Sequence, residues 1–183
     1  MTILTLTLNP AVDKSTSVPT VAPERKLRCG PLRVDPGGGG INVSRAIRRL
    51  GGESVAVYAR GGRTGAALEE LLDREGLAQV PIPIAEETRE NFTVLEETSG
   101  QQYRFGMPGP TLTPEELERC LAAVEGWEPA PEFLVASGSL PRGAPVDLYV
   151  RLAESSRRRG IKVVLDTSGE PLRQITRSQV YML

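Results

Sequence analysis

Four short runs of apolar and β-branched residues punctuate this chain, and amphipathic stretches fill the intervals between them. The runs are Ile3-Leu4-Thr5-Leu6-Thr7-Leu8 and residues 54–59, 133–136 and 162–165. Each is short and apolar, so each reads as a strand covered on both faces. The intervening stretches 41–50, 64–75, 113–124 and 145–159 carry helical periodicity. In the first of them Val43, Ala46, Ile47 and Leu50 form one stripe, with Arg45, Arg48 and Arg49 facing away. Thr113-Pro114-Glu115-Glu116 supplies a cap, a proline at the first helical position and acids at the positive end of the dipole. Strands alternating with helices give an α/β domain built on a largely parallel sheet with flanking helices.

Two stretches break that rhythm. Residues 14–34 contain Pro19, Pro23 and Pro31 and no helical stripe, with short β-like pieces around Lys26-Leu27-Arg28. Residues 91–105 alternate through Phe92, Val94, Tyr103 and Phe105 across a Thr98-Ser99-Gly100 turn, the pattern of a hairpin. Together they read as an extra antiparallel layer that must pack on the main body or on a second copy of itself. Residues 178–183 lead into Val180-Tyr181-Met182-Leu183, which reads as one more buried strand. A central parallel strand is followed by further elements that cover it, so the expectation is an incomplete domain.

Composition removes several classes of chemistry. The 22 basic and 23 acidic side chains leave a net charge of -1, with no electrostatic footprint for nucleic acid or an anionic membrane. There is no histidine, which excludes Ser-His-Asp and Cys-His nucleophiles and histidine-ligated zinc. Cys29 and Cys120 are far apart and read as free, buried thiols of a reducing cytosol. The apolar start stops at Asn9-Pro10, too short for a signal segment or a membrane span, so a soluble cytoplasmic protein is expected.

The sharpest chemical feature is Asp35-Pro36-Gly37-Gly38-Gly39-Gly40-Ile41-Asn42. Glycines running into a helix let the backbone approach a ligand and aim free N–H groups at its oxygens. The dinucleotide fingerprint fails, because Asn42 takes the place of its third glycine, and the P-loop fails for want of Gly-Lys-Ser/Thr. Asp13 follows the first strand, where it can accept hydrogen bonds from vicinal hydroxyls or merely close an Asx turn. Gly61-Gly62-Arg63-Thr64-Gly65 and Ser137-Gly138-Ser139-Leu140-Pro141 end two further strands in small polar groups. Four such loops at successive strand ends point to one shared pocket. Arg89 and Arg104, beside or within the hairpin, offer planar forks of donors for a phosphate.

Taken together these segments resemble a known family. Thr5-Leu6-Thr7-Leu8-Asn9-Pro10-Ala11-Val12-Asp13, Lys26-Leu27-Arg28-Cys29, the glycine run through Asn42-Val43-Ser44-Arg45-Ala46-Ile47, Leu50-Gly51-Gly52, Gln102-Tyr103-Arg104-Phe105, Met107-Pro108-Gly109, Ser137-Gly138-Ser139-Leu140-Pro141 and Asp166-Thr167-Ser168-Gly169-Glu170 are similar to the phosphofructokinase B group of ribokinase-like sugar kinases. Four glycines before Ile-Asn, together with Lys-Leu-Arg-Cys, favour its 6-phosphofructokinase branch. The resemblance implies phosphoryl transfer from MgATP to the free primary hydroxyl of fructose 6-phosphate. Sibling readings are 1-phosphofructokinase and tagatose-6-phosphate kinase, and a non-catalytic sugar-phosphate binder is the reading from another class. It also implies a single ribokinase-like domain over 1–183, incomplete at its C-terminal part, whose β-lid segments at 14–34 and 89–106 cover the sugar and build a homodimer. Carried over by position, Asp13 would hold sugar hydroxyls, and Gly38, Gly39 and Asn42 would line the sugar. Arg89 and Ser137 would meet the substrate's phosphate, with Lys26 and Arg104 in the lid as lesser contacts. The family's Lys-Pro-Asn-x-x-Glu and Gly-Ala-Gly-Asp segments are not among the 183 residues. The resemblance therefore places the base, and most of the ATP and Mg²⁺ sites, beyond Leu183; no catalytic or metal-binding residue is expected in this chain, and the chain alone is expected to be inactive.

Overall fold

The computed structural model describes residues 2–175 and 180–183. In chain order its elements are β1 (Ile3–Thr7), β2 (Ala11–Val18), β3 (Arg33–Gly37), α1 (Gly39–Arg49), β4 (Val55–Gly61), α2 (Gly62–Arg74) and β5 (Ala78–Ile84). Then follow β6 (Arg89–Glu96), β7 (Gln102–Phe105), α3 (Pro114–Glu125), β8 (Phe133–Ser137), α4 (Leu148–Arg158), β9 (Lys162–Asp166) and α5 (Glu170–Ile175).

All four apolar runs become strands of one parallel sheet, in the order β5-β4-β1-β8-β9. β1 lies at its centre because both its faces are buried. Leu4, Leu6 and Leu8 join the core beneath α3 and α4, while Thr5 and Thr7 face α1. A second core, of Val12, Ile41, Ala56, Tyr58, Leu68, Leu72 and Leu77, fills the side of α1 and α2. The strand missing from the sequence reading is β5, Ala-Gln-Val-Pro-Ile-Pro-Ile. Its prolines, two residues apart, leave their missing N–H groups on one side of the strand. As an edge strand β5 pairs with β4 through the other side alone.

The stripe expected on α1 is corrected. Its buried residues are Gly40, Ile41 and Ser44, whereas Ala46 is exposed and Leu50 is 88% exposed. The packed face is built from small groups that apolar periodicity does not register. Ser44 Oγ lies 2.9 Å from Thr5 Oγ1 and accepts from Ser54 Oγ at 3.0 Å. Arg45 does not face away: it grips Glu75 through two hydrogen bonds of 2.7 Å and donates to the carbonyl of Pro36. The start of α3 has the expected form, with Thr113 and Glu116 completing a reciprocal capping box and Pro114 in the first turn. The fourth helix begins at Leu148 rather than at 145, and the short α5 had no counterpart in the sequence reading.

The irregular stretches form a second sheet of order β3-β2-β6-β7. It is mixed, not antiparallel. β2 and β6 run parallel, from Ala11↔Arg89 to Val18↔Glu96, and only the outer pairs are antiparallel. The hairpin across residues 97–101 is present, but Lys26-Leu27-Arg28 is irregular chain and not a strand.

The expected buried strand at 178–183 is also corrected in its described part, Ser178 and Gln179 lying outside the described residues. Tyr181 N donates to Val163 O and Leu165 N to Met182 O, which makes one parallel bridge beside β9. Tyr181, Met182 and Leu183 are nonetheless more than half exposed, although the Tyr181 ring meets Phe133 edge-on at 5.6 Å and lies beside Lys162 Nζ. Among the described residues no helix is long and apolar enough to cross a membrane.

Candidate functional site

The carboxyl ends of β1 and β8 and the start of α1 meet at one place, with the open end of the second sheet against them. Gly38 is the N-cap of α1 and has φ +122°, a conformation that side chains other than glycine rarely adopt. The N-cap residue of this helix has no side chain to cap it, and no acid lies in the first turn. From β1, Thr7 Oγ1 takes the N–H of Ile41 at 3.0 Å. The loop is also tightly enclosed. A Cβ on Gly37 would overlap the Asp13 carboxylate, and one on Gly39 would overlap Ser137 Oγ. Thus Asp13 and Ser137, 124 positions apart in sequence, flank the same four-glycine turn.

Ser137 ends β8 with its hydroxyl donating to Asp166 Oδ2 at 2.9 Å. The loop behind it is fixed by Gly138 N to Asp166 O and by the hydroxyls of Tyr149 and Thr167 on Gly138 O. Burial pushes the Tyr149 hydroxyl well above the ordinary tyrosine range, so it stays a neutral donor.

Asp13 stands within β2, which disposes of the Asx-turn alternative. Its register neighbours are Asp35 on β3 and Asn91 on β6, all on one face of the second sheet. Asn91 Nδ2 donates to Asp13 Oδ1 at 2.9 Å. Arg89, two residues earlier on the same face, donates from Nη2 to Asn9 O at 3.2 Å and from Nη1 to Met107 O at 3.3 Å. Its Nε is buried without a partner. Desolvation pulls the Arg89 guanidinium below the usual arginine range, opposed by the nearby Asp13 charge. Asp13, Arg89, Asn91, Arg104 and Phe105 line a cavity of about 240 Å³. A larger cavity, about 370 Å³, opens at the other end of the parallel sheet among Arg48, Glu53 and Gly76, away from all of these groups.

The fold therefore brings Asp13, Gly38, Gly39, Arg89 and Ser137 to one seam, with Arg104 exposed on its rim. Asn42 is exposed on the first turn of α1 and accepts from Arg45 Nη1 at 3.2 Å. Lys26 is apart: it sits on the exposed loop between β2 and β3, around a separate groove with Val18, Pro19 and Leu27. Asn91 and Asn9 escaped the sequence reading. The one available signal for Asn91 was its two-residue spacing from Arg89, which puts both on one face of a strand. Asn9 Nδ2 donates to Ser139 Oγ at 3.1 Å, and its Oδ1 is buried without a partner beside Gly109. Among the described residues no three His, Cys, Asp or Glu side chains stand close enough to hold a metal ion.

The chain is similar to known proteins over nearly its whole length. Residues 3–182 match the pfkB family carbohydrate kinases. The ATP-dependent 6-phosphofructokinase isozyme 2 of Mycobacterium tuberculosis is 50% identical over 181 residues, which is 99% of this chain and 53% of that protein. A tagatose-6-phosphate kinase of Staphylococcus epidermidis is 33% identical over 178 residues, 97% of this chain and 57% of its own length. The crystal structure of phosphofructokinase-2 from Escherichia coli in complex with fructose-6-phosphate superposes with a TM-score of 0.89 at 42% identity. That match covers 94% of this chain and 56% of the other. The chain thus spans a little over half the length of the relatives it matches. With the ribokinase-like α/β fold and the sequence match in agreement, this chain belongs to the pfkB family of carbohydrate kinases.

Proposed function

We propose that the whole protein is an ATP-dependent kinase of a phosphorylated sugar, fructose 6-phosphate in the first place, and that these 183 residues supply the sugar side of its site. The observation that carries this reading is the convergence of three groups on one seam: the Asp13 carboxylate, the glycine start of α1, and the half-buried Arg89 guanidinium with an unspent Nε–H. A carboxylate accepts from vicinal hydroxyls, free N–H groups at a helix start favour oxygen ligands, and a guanidinium fork suits a phosphate. Asp13 then orients the sugar, Gly38, Gly39 and Asn42 border it, and Arg89 with Ser137 takes its phosphate. Arg104 on the rim is placed to assist. Lys26 has no such support within its own chain.

ATP with Mg²⁺ is the phosphate donor in this reading, its sites lying mainly in the part of the relatives that this chain does not span. The 183 residues alone then bind sugar phosphate without transferring phosphate. Val34, Phe92 and Phe105 expose apolar surface on the second sheet, which supports its role as a lid that pairs with a second copy. The compartment of such an enzyme is the cytoplasm.

The test is turnover by the whole protein, with MgATP, of fructose 6-phosphate, fructose 1-phosphate and tagatose 6-phosphate side by side. Fructose 6-phosphate is expected to give the highest kcat/KM. Preference for either other sugar moves the assignment within the family, and no turnover of any of them refutes it. Arg89→Lys is expected to raise the sugar-phosphate KM by roughly tenfold or more, since a compact ammonium lacks the planar fork that spans two separate carbonyls and a phosphate.

A further inference from the structure

We infer that Asn91 is the positioning residue of the sugar site, locking the Asp13 carboxylate and the Arg89 guanidinium into one frame. The inference rests on the reading of Asp13 and Arg89 given above.

The side-chain amide of Asn91 works at both ends. Its Nδ2 donates to Asp13 Oδ1 at 2.9 Å, and its Oδ1 accepts the N–H of Met107 at 3.2 Å. Met107 O in turn accepts from Arg89 Nη1 at 3.3 Å. One amide thus links the group placed for sugar hydroxyls to the group placed for phosphate, through a single main-chain unit. Only one orientation of the amide serves both neighbours, because a carboxylate requires a donor and an N–H an acceptor.

The surrounding charges make the donor end matter. On β3, Asp35 stands beside Asp13 in register but is engaged by Arg33 at 2.6 Å and by Arg45 at 3.8 Å. On β7, Arg104 lies at the rim, and on β6 itself Arg89 faces the same cavity. Lys14 is paired with Glu90 at 2.7 Å. Among the described residues no cation has a direct hydrogen bond to Asp13; the donor on it is the neutral Asn91 amide. With Oδ1 held there, Oδ2 is turned over Gly37, towards the start of α1.

The test uses the whole protein and compares wild type with Asn91→Ala and Asn91→Asp. Asn91→Ala is expected to raise the KM for fructose 6-phosphate roughly tenfold while kcat changes less than about threefold, because the lost order belongs to ground-state binding. Asn91→Asp keeps the shape but sets two carboxylates within hydrogen-bond reach. Its KM relative to wild type is expected to be high at pH 8.5 and to fall towards pH 5.5, where a shared proton restores a donor to Asp13. Asn91→Ala has no such proton, so its ratio to wild type stays flat. A folded Asn91→Asp enzyme with wild-type KM throughout, or a ratio that does not change with pH, overturns the inference and leaves the kinase reading intact. Wild-type protein that turns over no sugar phosphate overturns both.

Discussion

The two sheets are made of similar strands and held by opposite means. In the parallel sheet Leu4, Thr5 and Leu6 of β1 are fully buried between two helical layers. In the second sheet Phe92 is 38% and Phe105 51% exposed, and most of β7 faces solvent. Polar ties replace burial there: Ser17 to Glu97 at 2.6 Å, Lys14 to Glu90 at 2.7 Å, and Val21 N and Ser99 Oγ on Glu96. The difference teaches a division of labour. The buried sheet backs the glycine start of α1, and the exposed sheet carries the charged side chains Asp13, Arg89 and Arg104.

The largest separation between the sheets is expected on truncation. Leu6→Ala empties a fully enclosed site in the central strand and is expected to cost about 3 kcal/mol in urea unfolding. Phe105→Ala, half in solvent, is expected to cost less than about 1 kcal/mol. Equal losses would mean that the second sheet is covered in solution. The thiols give a sharper contrast of smaller energy. Cys29, which is exposed beside the second sheet and not buried as the sequence suggested, is expected to react with a thiol reagent at pH 8 in the folded chain. Cys120 on α3 is buried, and burial pushes its thiol up to about 12, so it should label only on unfolding. The smallest effect concerns acid. Hydrogen bonds from Ser99 and Val21 N hold the Glu96 carboxyl below the ordinary 4.5. That tie is complete above pH 4.5 and is lost as pH falls through the lowered folded value. The Val21 amide resonance should report this release in acid, and Glu96→Gln should abolish the titration.

Legibility in the sequence followed the same division. Strands buried on both faces announce themselves as unbroken apolar runs, and β1, β4, β8 and β9 did so. β5 did not, because Pro81 and Pro83 mimic a loop until its place at the sheet edge is known. The packed face of α1 was misread because Gly40 and Ser44 contribute closeness and hydroxyls rather than apolar bulk. In the site, Asp13, the glycine run and Ser137 were legible through strand-end position and family likeness. Asn91 was not, since its meaning depends on the register of β2 against β6, strands separated by 70 residues of chain.

That parallel register sets an order of assembly. Ala11–Val18 meets Arg89–Glu96 only after the chain has travelled through α1, β4, α2 and β5 and returned. Closing so long a loop is unfavourable until the intervening elements have collapsed against β1. The pocket that gathers Asp13 to Arg89 thus forms only after the elements between them are in place, although before β8 can join β1. A nascent chain released before residue 89 has the glycine turn and Asp13, but no opposite wall facing them.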